Sequence, residues 1–332
     1  MEKYLLSGDW GSTIFRLRLI EMPGQHIIGE VFSDNGVIHT FNSWKAGAAD
    51  KGITRKQFFI DQLKKQKKSL SDQLSQSLDG ITILISGMAS SSIGMQELPY
   101  AQLPFAVDGG GVRIHRFEAE DNFPNPILLI SGVKSYEEVM RGEETQLIGL
   151  ASLLNIQQQE CILILPGTHS KHLQIKSGKL ISIKTFMTGE LFSLLINHSI
   201  LKDSVDNSKV TELSESEIDA FKSGLKRSAD ANILNSLFTV RTNQLFNKLD
   251  KKQNFYYLSG LLIGTELNYL CQMETIPLVL CSGGNLHELY KLALHELGLL
   301  DKTTIVSADM IVKATIAGQA IIYKQSKQTH IL

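Results

Sequence analysis

The sequence predicts an α/β protein made of two similar halves, each a mixed β-sheet covered by helices. Two observations support this prediction. A buried strand, a tight turn and a second strand occur near the N-terminus and again halfway along the chain, and alternating helices and strands follow each copy. With 332 residues, the chain is also long enough for two domains that have separate hydrophobic cores.

The elements follow from hydrophobic periodicity. In the first half we expect strands near Tyr4–Ser7, Thr13–Glu21 and Gly29–Ser33, a helix near Thr54–Ser77, strands at Ile81–Ser86 and Ile127–Ser131, and a helix from about Tyr136 to Leu154. In the second half we expect strands at Cys161–Leu165, His172–Lys176 and Leu180–Phe186, a mostly helical stretch from Glu190 to Met273, and strands at Leu278–Cys281 and Thr304–Val306.

A polar stretch from Asn155 to Gln159 is the predicted boundary between the two domains. It gives an N-terminal domain of residues 1–155 and a C-terminal domain of residues 156–332. A final helix near residues 310–324 could cross back onto the first domain.

The two hairpin turns are candidate phosphate sites, because turns of small and hydroxyl residues expose backbone N–H groups to anionic oxygens. The predicted phosphate ligands are Gly11, Ser12 and Thr13 in the first turn, and Gly167, Thr168, His169, Ser170 and Lys171 in the second. The first turn also has a carboxylate, Asp9, which could position a metal ion through water.

A third candidate nucleotide element follows the predicted strand Leu278–Cys281. There Gly283, Gly284 and Asn285 lead into an amphipathic helix. Glycines allow close backbone approach, and a helix start offers free N–H donors to phosphate or ribose oxygens. The chain has neither of the commoner glycine-rich nucleotide motifs, so these three elements together predict the nucleotide site.

The segment Arg141-Gly142-Glu143-Glu144 is the candidate catalytic motif. It combines a cation with two carboxylates at a predicted loop-to-helix junction. Phosphoryl transfer requires charge neutralisation and a carboxylate to accept the hydroxyl proton. Acidic residues in a first helical turn are also common for purely structural reasons, because they complement the helix dipole.

Composition excludes some functions. The formal net charge of −1 predicts no nucleic-acid partner, and no apolar run is long enough to span a membrane. The N-terminus leads directly into a strand and does not look like a signal peptide, so we expect a cytoplasmic protein. The expected partners are small molecules, and a homo-oligomer is possible.

The ordered set of hairpin, hairpin and glycine turn resembles the actin, hexokinase and heat-shock ATPase superfamily. Within it, the chain is similar to the 2-dehydro-3-deoxygalactonokinase family over nearly its whole length. The similarity rests on Asp9–Thr13, Gly87-Met88, Pro99-Tyr100, Val139–Gly149, Pro166–Lys171, Met187–Leu191, Asn197–Ser199 and Leu258–Glu266. Two positions depart from the family: Met95 and His172 stand where tryptophan is usual, and either could reshape a pocket wall.

The resemblance implies a two-domain actin-like (ribonuclease H-like) ATPase fold with an interdomain cleft. It also implies ATP and Mg²⁺ as cofactors, and transfer of the γ-phosphoryl group to the terminal 6-hydroxyl of 2-dehydro-3-deoxygalactonate. The predicted catalytic residues are Asp9, Glu143 and Glu144, and the predicted substrate residues are Arg16, Arg141 and Glu190.

Several choices stay open from the sequence. We favour Glu143 as the base, because Gly142 permits an unusual backbone angle just before it, and we expect Glu144 to bind Arg141 or a neighbouring helix. Glu266 is expected to face solvent or a helix. The configuration at C4 of the sugar acid is undetermined. A phosphohydrolase of polyphosphate or nucleotides, and a non-catalytic nucleotide sensor, are the alternative functions.

Overall fold

The computed structural model describes residues 2–206, 213–230, 232–273 and 275–328. Its strands are β1 (Tyr4–Trp10), β2 (Phe15–Glu21), β3 (His26–Ser33), β4 (Ile83–Gly87), β5 (Ala101–Gln102), β6 (Phe105–Ala106), β7 (Ile114–Phe117), β8 (Ile127–Ile130), β9 (Val133–Lys134), β10 (Val139–Met140), β11 (Cys161–Leu165), β12 (Ser170–Lys176), β13 (Lys179–Phe186), β14 (Leu278–Cys281) and β15 (Thr303–Val306). Its α-helices are α1 (Val37–Ser43), α2 (Arg55–Leu74), α3 (Glu143–Leu153), α4 (Thr188–His198), α5 (Glu215–Arg227), α6 (Ile233–Leu245), α7 (Lys251–Leu267), α8 (Asn285–Glu296) and α9 (Ala308–Gln328).

The chain forms two compact units. The first consists of Met1–Gln159, Ile175–Ser182 and Asp309–Leu332, and the second of Glu160–Gln174 and Ile183–Ala308. This division differs from the predicted one in three segments, since residues 156–159, the tip of the β12–β13 hairpin and nearly all of α9 belong to the first unit. For the last helix, the sequence had left this placement open. Inside the first unit, Lys179 and Leu180 of that tip pair with β6.

The first unit contains a six-stranded sheet in the order β3-β2-β1-β4-β8-β7. Strands β1, β2 and β3 are antiparallel neighbours, whereas β4 is parallel to β1 and β8 is parallel to β4. Nearly continuous apolar sequence forms β4 and β8, and both strands are buried on both faces. The carboxyl ends of β1, β4 and β8 therefore meet at one edge of this sheet.

The second unit repeats this arrangement with β13-β12-β11-β14-β15. Strand β14 is parallel to β11, and β15 is parallel to β14. Both units thus place a three-strand meander beside parallel strands in the same order, which confirms the predicted duplication of a mixed sheet. Residues 207–212 and 231 of the predicted helical stretch lie outside the described residues.

Two close helix contacts depend on glycine. In the first unit, a Cβ on Gly149 of α3 would lie 1.8 Å from the carbonyl oxygen of Ala314 in α9. In the second unit, a Cβ on Gly260 of α7 would lie 2.1 Å from the carbonyl oxygen of Phe221 in α5. No side chain fits at either position, so both glycines are required for packing.

A small sheet that the sequence did not predict lies in the first unit, in the order β10-β9-β5. It occupies the start of the predicted helix from Tyr136 to Leu154, and α3 begins only at Glu143. The reason is Gly142, whose φ of 107° cannot belong to an α-helix.

Candidate active site

The first hairpin turn is tied to the start of α1 through the backbone. The carbonyl oxygens of Gly11, Ser12 and Thr13 accept hydrogen bonds from the N–H groups of Val37, Ile38 and Gly36, at 2.9, 3.1 and 3.1 Å. These bonds hold the three predicted phosphate ligands in one fixed turn, where Thr13 is exposed and Gly11 and Ser12 are half-buried.

Asp9 lies at the carboxyl end of β1, and its side chain is 31% exposed. Arg16 Nη1 on β2 lies 3.4 Å from Asp9 Oδ2. Burial raises the pKa of the Asp9 carboxyl, although the charges of Arg16 and Arg18 lower it in part. Asp9 is therefore accessible to a ligand, whereas Arg16, predicted to bind substrate, is already paired with it.

The Gly142 turn lies against the ends of the parallel strands. A Cβ on Gly142 would be 3.2 Å from Gly87 Cα, and a Cβ on Gly87 would be 2.7 Å from the carbonyl oxygen of Trp10. Gly87 ends β4 and Trp10 ends β1. The structure therefore brings the predicted catalytic motif to the sheet edge that also carries Asp9.

Glu143 and Glu144 occupy different environments. Glu144 is 1% exposed, and its Oε2 accepts a hydrogen bond of 2.7 Å from Gly142 N–H. Burial, and next the charge of Glu143, raise the pKa of Glu144 to about 8. Glu143 is half-buried in the first turn of α3. A largely protonated, enclosed Glu144 is poorly suited to receive a substrate proton at neutral pH.

Arg141 does not bind Glu144, contrary to the expectation. Its Nη1 donates to Ser90 Oγ at 2.8 Å, its Nη2 donates to the Leu98 carbonyl oxygen at 2.9 Å, and its guanidinium lies 3.9 Å from the centre of the Tyr100 ring. The side chain is thus engaged by protein groups, which argues against its predicted direct contact with substrate.

A cavity of about 500 Å³ opens beside this arginine in the first unit. We call it the Arg113–Lys134 pocket, and it is lined by Glu97, Leu98, Pro99, Tyr100, Gln102, Arg113 and Lys134. Sequence reasoning missed its charged residues. They are scattered among short strands with no motif spacing, and the Pro99-Tyr100 pair was the single signal that pointed to this region.

The second hairpin turn, in the second unit, turns one predicted phosphate ligand inward. Ser170 is fully buried, and its hydroxyl accepts a 3.3 Å bond from Gly167 N–H and contacts the Tyr290 hydroxyl at 3.1 Å. Lys171 is also buried, on β12. Thr168 and His169 are exposed at the turn itself. The predicted direct phosphate contact of Ser170 does not fit this placement, because its oxygen is used inside the protein.

Glu190, predicted to contact substrate, lies in the first turn of α4 and contacts the second hairpin turn. Its carboxylate contacts His169 Nε2, and its backbone N–H donates to the Thr168 carbonyl oxygen at 2.9 Å. Glu190 therefore holds the exposed part of the turn at the start of α4.

Behind the turn lies a buried polar network centred on Glu266. Its Oε1 contacts His172 Nε2 at 2.9 Å, and its Oε2 accepts from Tyr290 Oη at 2.7 Å and from Thr188 Oγ1. Both Glu266 and His172 are 2% exposed. Of the two surroundings expected for Glu266, solvent is wrong and a neighbouring helix is confirmed, because Tyr290 lies on α8 and Thr188 on α4. His172 lies in this interior and Met95 in the first core, so neither position lines the Arg113–Lys134 pocket.

The glycine turn before α8 has the predicted form. Gly284 has a φ of 61°, and a Cβ there would meet no atom within 4 Å. Gly283 and Gly284 are exposed, and Asn285 begins the helix. The Asn285 side chain lies outside the described part of the chain. The turn therefore offers open space at a helix N-terminus, which suits a nucleotide oxygen.

Two negative findings apply to residues 2–206, 213–230, 232–273 and 275–328. No helix there is both long and apolar enough to cross a membrane. No group of three or more His, Cys, Asp or Glu side chains could hold a metal ion.

The duplicated mixed sheets, each with turns at its strand ends, define an actin-like fold. The family model for 2-keto-3-deoxy-galactonokinase matches residues 9–318. The chain therefore belongs to the 2-keto-3-deoxy-galactonokinase family.

Relatives of known sequence and structure agree with this assignment. The chain is 33% identical to 2-dehydro-3-deoxygalactonokinase of Escherichia coli (strain K12) over 239 residues, which cover 70% of this chain and 76% of that protein. It is also 32% identical over 248 residues to a probable 2-dehydro-3-deoxygalactonokinase of Rhizobium meliloti (strain 1021). These residues cover 72% of this chain and 78% of that protein. The crystal structure of a Sinorhizobium meliloti protein described as a 2-dehydro-3-deoxygalactonokinase by assignment matches this chain with a TM-score of 0.74. The two are 28% identical, and the match covers 96% of both chains.

Proposed function

We propose that this protein transfers the γ-phosphoryl group of ATP to the terminal 6-hydroxyl of 2-dehydro-3-deoxygalactonate. The observation that carries this proposal is family membership across residues 9–318. It is supported by the Gly142 turn, which holds the family's Arg-Gly-Glu-Glu segment at the carboxyl ends of the parallel strands, where open α/β sheets bind ligands.

Glu143 is the proposed general base. It follows the positive-φ Gly142 at the mouth of α3, and its neighbour Glu144 is enclosed and largely protonated. The base takes the proton of the 6-hydroxyl as its oxygen attacks the γ-phosphorus, and the bond to the β-phosphate oxygen breaks. Glu144 instead holds the Gly142 turn through its hydrogen bond to the Gly142 N–H.

Asp9 is the proposed magnesium residue. A single accessible carboxylate fits this ion, which keeps several waters and takes further oxygens from the nucleotide. The ion would supply charge neutralisation at the phosphates. Asp9 must then exchange its 3.4 Å contact with Arg16 for a water of the ion, and that long, partly exposed contact costs little to replace.

In the second unit, the exposed turn at Gly167, Thr168 and His169 is the proposed site for ATP phosphates, and the Gly283-Gly284 turn the proposed site for adenosine. A Cβ on Gly167 or on Gly284 would meet no atom within 4 Å, and Thr168, His169 and Gly283 are exposed, so both turns have room for a ligand. Because the reaction consumes ATP, we propose that the protein acts in the cytoplasm.

The direct test is ADP formation with purified protein, ATP and Mg²⁺, with and without 2-dehydro-3-deoxygalactonate. We expect ADP to form only when the acid is present. The C4 epimer, 2-dehydro-3-deoxygluconate, measures how strictly the hydroxyl configuration is recognised. ADP formation at the same rate without any acid would instead identify a phosphohydrolase.

A further inference from the structure

We propose that the Arg113–Lys134 pocket binds the carboxylate of the sugar acid, with Arg113 and Lys134 as its cationic ligands. This inference rests on the proposed function and adds the acceptor subsite to it. It also replaces Arg16 and Arg141 as the groups that recognise the acid.

The pocket lies at the edge of the sheet that carries the catalytic motif. Ser131, just after β8, donates its N–H to the Arg113 carbonyl oxygen at 2.9 Å, so Arg113 lies at the carboxyl end of that parallel strand. Lys134 is paired in register with Gln102 in the small sheet. The third strand of that sheet, β10, ends at Met140 and continues directly into Arg141 and Gly142.

The two cations have no partner among the residues that the structure describes. Neither Arg113 nor Lys134 makes a side-chain hydrogen bond or an ion pair with that part of the chain. Arg113 is exposed and Lys134 half-buried, so both can reach a ligand without first breaking a contact. This contrasts with Arg141, whose guanidinium already contacts protein atoms, and with Arg16, which lies beside Asp9 and does not line the pocket.

The charge of the pocket suits a monoanion. Glu97 also lines it, so the three charged side chains give a formal sum of +1. A sugar carboxylate matches this sum, whereas a triphosphate would bring several negative charges towards Glu97. Glu97 and Gln102 are then available to bind sugar hydroxyls, for which carboxylate and amide oxygens are good acceptors.

Arg141 does not line this pocket but contacts two residues that do. It donates to the Leu98 carbonyl oxygen and stacks on Tyr100, and both residues line the cavity. Its fixed guanidinium therefore sets the position of the Leu98–Tyr100 segment. On this account Arg141 is a positioning residue that shapes the acceptor subsite.

The test compares the Arg113→Met and Lys134→Met variants with the wild type, using 2-dehydro-3-deoxygalactonate and its uncharged primary amide as acceptors. Loss of one charge-assisted contact should raise KM for the acid about 10- to 100-fold in each variant. KM for ATP should not change. KM for the amide should rise less than about threefold in either variant, because the amide has no carboxylate to bind.

The matched control is Arg116→Met. Arg116 lies on β7, where it pairs with Glu118 at 2.7 Å and does not line the pocket, so its KM for the acid should equal that of the wild type. Calorimetric titration of all four proteins with the acid measures binding without turnover.

Wild-type turnover and binding separate the two proposals. If the wild type phosphorylates the acid and both pocket variants keep its KM, the pocket assignment is wrong and the proposed function stands. An equal loss with acid and amide, or a rise in KM for ATP, also overturns it. If the wild type is inactive, the proposed function fails, and binding of the acid that depends on Arg113 still supports the pocket.

Discussion

Glu266 gives the sharpest prediction about stability, because it accepts three hydrogen bonds in the interior of the second unit. Replacement with leucine removes the acceptor of the buried His172 Nε2 and of the half-buried Thr188 hydroxyl. The Tyr290 hydroxyl also loses this acceptor and keeps only its contact with Ser170 Oγ. Each of the three lost hydrogen bonds costs about 1–3 kcal/mol, with the smaller figure where the donor keeps another partner or is half-buried, and the added apolar burial offsets part of this sum. We expect Glu266→Leu to lower the free energy of unfolding of this unit by about 3–5 kcal/mol.

The assay is thermal unfolding followed by calorimetry. For a unit of this size, the expected loss lowers Tm by about 6–20 °C. Glu266→Gln keeps one acceptor oxygen and should lose only about 1–2 kcal/mol.

The matched control is Glu288→Leu, an exposed position on α8, which should stay within about 0.5 kcal/mol of the wild type. If Glu266→Leu unfolds within about 1 kcal/mol of the wild type, the reasoning about this network is wrong.

Three further predictions concern the first unit. Glu143→Gln should lower kcat about 10²–10⁴-fold with little change in KM for ATP, whereas Glu144→Gln should stay active; loss of turnover in Glu144→Gln alone would exchange their roles. Asp9→Asn should lose most turnover and keep its wild-type melting temperature within a few degrees, and near-normal kcat at saturating Mg²⁺ would disprove its role. The pKa of Glu144 is about 8 in the folded protein and about 4.5 in the unfolded chain, so between these two pH values the folded protein binds one more proton. The free energy of unfolding should therefore fall by about 3–5 kcal/mol as the pH rises from 4.5 to 8. Glu144→Gln should flatten this part of the stability–pH profile, and an unchanged profile would contradict the burial argument.

Local sequence pattern was enough to predict the repeated strands, but the turns between them are shorter than predicted. Asp9 belongs to β1, and Ser170 and Lys171 belong to β12, although all three were assigned to turns. Strands β1 and β11 are short, mainly apolar runs that are each followed by small and hydroxyl residues, which is the local signature of a buried strand that ends in a tight turn. The sequence also indicated that Gly142 permits an unusual backbone angle before Glu143, and its φ of 107° is such an angle.

The contacts that decide residue roles could not be predicted in this way, because they join distant segments. Ser170 turns inward because Tyr290 lies beside it, 120 residues later in the chain. Arg141 is engaged by Ser90 and Leu98, 51 and 43 residues before it. Neither partner leaves a periodic mark in the sequence, so these roles depend on the tertiary arrangement.

The Arg113–Lys134 pocket shows the same limit. Arg113 precedes an edge strand and Lys134 belongs to a two-residue strand, β9, too short to be recognised from periodicity. They share one cavity only because β7 and β9 both meet the end of β8 in the folded first unit.

The central claim is that the 6-hydroxyl of the sugar acid receives the phosphoryl group. Phosphorus and proton NMR of the purified product tests it most directly. The account predicts a phosphate ester whose phosphorus signal is split by the two methylene protons at C6. An ester coupled to a single ring or chain methine proton, or inorganic phosphate as the sole product, would contradict it.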